Sequence, residues 1–177
     1  MYNLLIPRRR GDVKKRFAVA FTGPSNSGKT TLVEKIAKEL IKNYKVAIIK
    51  NDPKDKAHFD IEGKDSYKFS QTGAEVVVTS PTRTTYFSQR EKTLDEIVAM
   101  IDDFDYLLVE GLKTLPLPRI AIFRNTIEES YFACSEAMAI DESIDPTLYP
   151  IPEEFTLLNL NNTGEIISWI QNNAKEI

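Results

Sequence analysis

The sequence predicts one α/β domain built on a doubly wound, mostly parallel sheet with helices on both faces. Three observations lead there. Short apolar runs alternate along the chain with segments of helical period. The runs Phe17–Thr22 and Lys45–Lys50 flank one such segment, and a strand, helix and strand within about 35 residues form a βαβ unit with parallel pairing and a right-handed crossover. Tyr106–Val109 is uniformly apolar, as a strand buried on both faces must be.

Each element has its own reason. Leu32, Val33, Ile36, Ala37, Leu40 and Ile41 fall on one helical stripe and predict a helix over 30–42. Residues 51–66 are polar and irregular, which suits a functional loop, and 64–72 is a short helix candidate. Ala74–Thr79 and Thr82–Phe87 read as strands separated by Ser80-Pro81. Thr93–Ile101 is a helix with Thr93 as N-cap and Glu96 at the capping-box position. Ile120–Phe123, Ala137–Ile140 and Phe155–Leu160 are further strands, and Glu165–Ala174 closes the chain as a helix.

Bulk properties narrow the function. At 177 residues, 42% hydrophobic and 28% charged, the chain has the composition of a soluble globular domain. A net charge of −3 argues against a general nucleic-acid binder. That charge is uneven: six basic residues against Asp12 give residues 1–16 a net +5, which leaves −8 in residues 17–177. The sequence thus divides into a basic arm (1–16) and a single α/β domain (17–177). The single Cys134 excludes an internal disulfide and fits a reducing, cytoplasmic compartment. No apolar run approaches the roughly 20 residues of a membrane span, and no signal peptide is expected.

Gly23-Pro24-Ser25-Asn26-Ser27-Gly28-Lys29-Thr30 fits G-x-x-x-x-G-K-[ST] between a strand and a helix, the pattern of P-loop NTPases. A polyphosphate needs several backbone N–H donors converging on it, and only small residues let the chain wrap that closely. Gly23, Ser25, Asn26, Ser27, Gly28, Lys29, Thr30 and Thr31 are therefore the phosphate-contact candidates. Lys29 would neutralise the β- and γ-phosphates, and Thr30 would ligate Mg²⁺. Leu107-Leu108-Val109-Glu110 is an apolar strand ending in an acid, the Walker B arrangement, with Glu110 as metal or water ligand. Asp52 follows the second strand, where it either holds a Mg²⁺-bound or attacking water or caps its own turn. Lys29, Asp52 and Glu110 are the catalytic candidates, and Thr30, Asp52 and Glu110 the metal candidates.

Asp60-Ile61-Glu62-Gly63-Lys64-Asp65-Ser66-Tyr67, Gly73-Ala74, Val109-Glu110-Gly111-Leu112-Lys113 and Pro118-Arg119-Ile120-Ala121-Ile122-Phe123-Arg124 resemble the MobB family, in the family's order, across residues 17–175. The resemblance implies GTP and Mg²⁺ binding, weak GTP hydrolysis, a homodimer, and a role as adaptor in molybdopterin-guanine dinucleotide biosynthesis. Its implied partner is a MobA-type guanylyltransferase, with molybdopterin as a further candidate. By position Asp141 resembles a family aspartate able to read guanine, since its carboxylate accepts the N1 and N2 donors that adenine lacks. Lys64 and Asp65 resemble a second polar patch; a helix start with a solvated charge pair reads equally well. The sequence departs from the family at Lys50-Asn51-Asp52, where the family has Lys-His, and its one histidine, His58, lies later. Two other classes remain open on residues alone. A small-molecule kinase would need an arginine-bearing lid, for which Arg83 and Arg90 are the candidates. A metallochaperone G protein would have one Cys and one His to offer per chain.

Overall fold

The computed structural model describes residues 15–177, so most of the basic arm lies outside the described residues. The chain forms two compact units, one of residues up to Asn51 and from Asp103 onward, the other Asp52–Asp102.

The first unit holds the sheet. Its strands are β1 (Phe17–Thr22), β2 (Val46–Lys50), β5 (Tyr106–Glu110), β6 (Arg119–Ile122), β7 (Ala137–Ile140), β8 (Thr156–Asn159) and β9 (Lys175–Glu176). The order β2-β5-β1-β6-β7-β8 is parallel throughout, and β9 alone runs antiparallel, against Phe17 and Ala18 of β1. β1 therefore sits at the point where the winding reverses, with the βα connections leaving in opposite directions on its two sides. The expected mostly parallel, doubly wound α/β sheet is present.

Alternation along the central strands makes two cores. Val19 and Phe21 of β1, Leu108, Ile120 and Ile122 face α1 (Lys29–Leu40) and α4 (Thr163–Asn173), whose Leu32, Ile36, Leu40, Ile166, Trp169 and Ile170 complete one buried cluster. Ala121, Phe123 and Met138 point the other way, against Ile127, Ile144 and Tyr131 of a 3-10 turn at Glu129–Cys134. Among the described residues of this unit, α-helix covers one face and 3-10 helix the other.

The second unit comprises α2 (Asp65–Ser70), a hairpin of β3 (Val76–Thr79) and β4 (Thr84–Phe87), and α3 (Leu94–Ile101). Its apolar side chains are largely open. Val77 and Tyr86 are cross-strand partners on one hairpin face and are 55% and 37% exposed. α3 buries no residue, and its start depends on the capping box: Thr93 Oγ1 accepts from Glu96 N, and the Glu96 carboxylate accepts from Thr93 N at 2.8 Å. With so little burial to hold it, α3 should feel that cap directly. Thr93→Ala is expected to cost about 1 kcal/mol, seen as faster amide exchange over residues 94–98 with the sheet amides unchanged.

Candidate phosphate-binding site

The site starts at the carboxyl end of β1. Pairing of Ala20, Phe21 and Thr22 with Arg119, Ile120 and Ala121 brings the next residue, Gly23, against the β6 backbone. A Cβ on Gly23 would lie 2.3 Å from the Ile122 carbonyl oxygen, and its φ of 141° is outside the range of L side chains. Glycine is therefore required by close approach as well as by conformation. Asn26 and Gly28 also take positive φ, 64° and 96°, and Gly28 is the N-cap from which α1 starts at Lys29. The loop thus closes onto the positive end of a helix.

Two polar groups in the loop behave as parts of a binding site. The Lys29 ammonium turns back and donates to the Pro24 carbonyl at 2.6 Å. Ser27 is 4% exposed, and its buried Oγ has no hydrogen-bond partner. Burial lowers the Lys29 ammonium below the ordinary lysine range, with Glu110 opposing that fall and Lys50 and Lys113 adding to it. Glu110 ends β5 in register with Phe21 of β1 and Lys50 of β2, and its carboxylate meets the Lys50 ammonium at 3.3 Å. Lys29 thus shares its electrostatic surroundings with the cations Lys50 and Lys113 and the carboxylate of Glu110. Gly111, at φ 91°, passes so near Asn51 that a Cβ there would meet the Asn51 Cβ at 3.0 Å.

Asp141 follows β7, two strands from β1. Its Oδ1 accepts Ser143 N at 3.1 Å and Ser143 Oγ at 2.5 Å, and its Oδ2 faces Arg124 Nε at 3.4 Å. The Arg124 guanidinium also borders the phosphate loop, its Nε 3.3 Å from where a Gly28 Cβ would be. Arg124 so connects the phosphate loop with Asp141, and beside Asp141 lies a cavity of about 410 Å³ floored by Leu158 and Asn159 of β8.

The structure brings together Gly23, Ser27, Gly28, Lys29 and Glu110, with Asp141 joined through Arg124. Ser25, Asn26 and Thr30 stand on the solvent side of the loop, Ser25, Asn26, Thr30 and Thr31 being exposed. Asp52 belongs to the second unit, where its Oδ2 accepts Lys56 N and Ala57 N, each at 2.7 Å, as a turn cap does. Lys64 and Asp65 open α2 in that same unit, exposed, with Asp65 3.9 Å from Lys68. His58 is exposed there too, and among the described residues no three His, Cys, Asp or Glu side chains gather into a metal-binding group.

Arg119 opens β6. It is fully buried, and its guanidinium donates to the carbonyls of Gly111 at 2.8 Å, Leu112 at 3.0 Å and Leu115 at 3.1 Å. It pins the loop that follows Glu110. Sequence reasoning also passed over Lys50 and Ser143, which carry no motif of their own and matter only through register and turn geometry.

The Asp141 carboxyl is held below the ordinary carboxylate range, first by the Ser143 hydroxyl, then by the Ser143 N–H and the Arg124 guanidinium. A depressed folded pKa contributes stability that is full above the unfolded value and is lost as pH falls through the folded one. The stability difference between the native chain and Asp141→Asn, from urea midpoints, should therefore be constant from neutral pH down to about 5 and shrink below about 4.

Comparison with known proteins places this geometry. A family model for molybdopterin guanine dinucleotide synthesis protein B matches residues 18–141. The molybdopterin-guanine dinucleotide biosynthesis adapter protein of Haemophilus influenzae is 32% identical over 161 residues, 87% of this chain and 87% of that protein. The adapter protein of Escherichia coli K12 is 27% identical over 167 residues, 86% of this chain and 93% of its own length. Among solved structures, Bacillus subtilis MobB superposes with a TM-score of 0.71 at 20% identity, over 90% of this chain and 98% of that one. At that identity the superposition speaks for the fold, that of a P-loop NTPase. No helix among the described residues is long and apolar enough to cross a membrane.

Proposed function

The chain belongs to the MobB family, molybdopterin guanine dinucleotide synthesis protein B, and from that premise we propose that it is a GTP-binding adaptor of molybdopterin-guanine dinucleotide biosynthesis. The observation that carries the nucleotide reading is the phosphate loop itself. Lys29 is turned onto a carbonyl of its own loop, Ser27 Oγ is buried unpaired, and Lys50 and Lys113 add positive charge around Lys29. An arriving polyphosphate offers oxygens to all of these groups.

On binding, Lys29 exchanges Pro24 O for phosphate oxygens, and the N–H groups between Gly23 and Lys29 donate to the same chain of phosphates. Thr30, on the first turn of α1, and Glu110, at the end of β5, are the residues that would hold Mg²⁺ or its waters, and the metal would neutralise phosphate charge when bound. Glu110 is also the group that would orient water for hydrolysis. Slow turnover is in keeping with the state of Arg124, the guanidinium described beside Gly28, which is engaged by Asp141. Asp141 reads guanine through the acceptor capacity left on Oδ2; Asp52 serves as the cap of its own turn, and Lys64 and Asp65 form a polar patch at the start of α2. Such a protein delivers bound GTP to the MobA-type guanylyltransferase in the cytoplasm more than it consumes it.

A homodimer is part of the same proposal. An isolated two-stranded hairpin is marginal in water, and the Val77–Tyr86 face of this one is open. A second copy covering that face supplies the burial the unit lacks. Val77→Lys is expected to convert a sedimenting dimer to monomer.

Calorimetry with GTP and ATP in Mg²⁺ tests the core of the reading. The native chain should prefer GTP, and Lys29→Ala should weaken binding at least about tenfold, or ~1.4 kcal/mol. Asp141→Ala should lose the preference while keeping triphosphate binding. ATP preference, or affinity indifferent to Lys29, would overturn the adaptor reading.

A further inference from the structure

A cavity of about 650 Å³ opens in the first unit where β6 and β7 begin, with Pro118 and Glu136 in its lining. The phosphate loop leaves the opposite, carboxyl end of β1, which runs parallel to β6, so the cavity is a separate place in the fold. Leu115, Pro116, Leu117, Pro118 and Ala133 give it an apolar wall. That wall has a set shape. Leu117 N donates to Leu115 O at 2.9 Å, Arg119 holds the same carbonyl at 3.1 Å, and the two prolines fix their own φ.

Two ammonium-bearing side chains share the lining, Lys113 and Lys175. Lys113 Nζ lies 3.7 Å from the centroid of the Tyr131 ring, and Lys175 Nζ donates to the Pro116 carbonyl at 3.1 Å. Both partners are neutral, and among the described residues neither lysine is paired with a carboxylate. Their positions are therefore held while their charge is left uncancelled. The carboxylate in the lining, Glu136, is already compensated: its Oε2 accepts from Arg119 N at 2.6 Å, and its charge offsets the burial of the Arg119 guanidinium.

That lining discriminates among ligands. A metal cation would meet two lysines and one engaged carboxylate. An inorganic anion would satisfy the lysines and leave the leucine and proline wall to water. A neutral apolar molecule would cover the wall and strand two charges beside it. A molecule with an anionic head and an apolar body satisfies both, and the volume lies within the roughly 300–1,000 Å³ of small-molecule sites. We propose that this cavity binds an amphiphilic organic anion, its carboxylate or phosphate head on Lys113 and Lys175 and its apolar body against Leu115–Pro118 and Ala133. The site stands or falls independently of nucleotide binding at the phosphate loop.

Calorimetry of the full chain with octanoate and with octyl phosphate tests it, octanol and inorganic phosphate serving as controls that carry one feature each. One of the two anions is expected to bind saturably at one site, about tenfold tighter than either control. The tighter of the two names the head group. Lys175→Gln and Lys113→Gln should each weaken that binding about threefold, and Lys175→Gln should leave Mg²⁺–GTP affinity unchanged. Cys134 also lines the cavity and is the only thiol of the chain. Its modification by N-ethylmaleimide, followed by mass, should slow as the anion saturates. No binding of either anion, binding that octanol equals, affinity indifferent to both lysines, or Cys134 labelling that the anion leaves unchanged would each overturn the proposal.

Discussion

Everything at the phosphate site follows from one close approach. β1 lies between β5 and β6, so the chain leaving it must turn within contact distance of the Ile122 carbonyl. Only a residue without a Cβ can make that turn. Once Gly23 has made it, the loop is short enough to return at Gly28 and start α1 directly at Lys29. Two consequences are locked together: the positive end of α1 faces the loop, and the lysine is its first helical residue. The apolar cluster of Val19, Phe21, Leu32, Ile36, Ile120 and Ile122 holds strand and helix at the spacing the loop needs. Packing here is the means by which a flexible glycine loop acquires a fixed shape.

A second constraint keeps the other wall of the site in place. Residues 111–115 follow the Walker strand and have no ladder to join. Three of their carbonyls accept from a guanidinium that enters from the start of β6, those of Leu112 and Leu115 accepting backbone N–H groups as well. Arg119 suits this because its donors are spread in a rigid fork that reaches several acceptors at once. Its own N–H is held by Glu136 at 2.6 Å, so the residue is anchored from both ends. The position of Lys113, whose ammonium lies 3.7 Å from the centroid of the Tyr131 ring, is inherited from this arrangement.

Most of the sheet was legible because its strands are buried on both faces and read as apolar runs; β1 and β7 have the bounds that the sequence suggests. Thr93 and Glu96 announced the α3 capping box, since that motif is local and needs no tertiary context. The phosphate loop was legible for the same reason. β9 was not. Lys175 and Glu176 are two exposed charged residues whose pairing with β1 depends on where α4 delivers the chain. Arg119 was not legible as an anchor for a related reason: nothing local to an arginine in a strand announces the three carbonyls around it. Charge at Lys50 and the hydroxyl of Ser143 became site features only through register with Glu110 and the turn after Asp141. Local chemistry, in short, was visible in the sequence, while long-range pairing of polar groups was not.

The electrostatics of the loop explain why an anion, and no neutral ligand, suits it. Lys50 and Lys113 add positive charge around Lys29, and Glu110, which meets Lys50 at 3.3 Å, opposes it. Burial already lowers the Lys29 ammonium, which means that its charge is held against a desolvation cost with only a carbonyl as partner. Hydrogen bonding to Pro24 O satisfies donor geometry without neutralising charge. A phosphate oxygen does both, and it relieves the mutual repulsion of the lysines at the same time. The loop therefore sets its lysine and the positive end of α1 together. Such preorganisation favours an anion in its ground state, and uniform binding of that kind does not by itself lower the barrier of a reaction at the site.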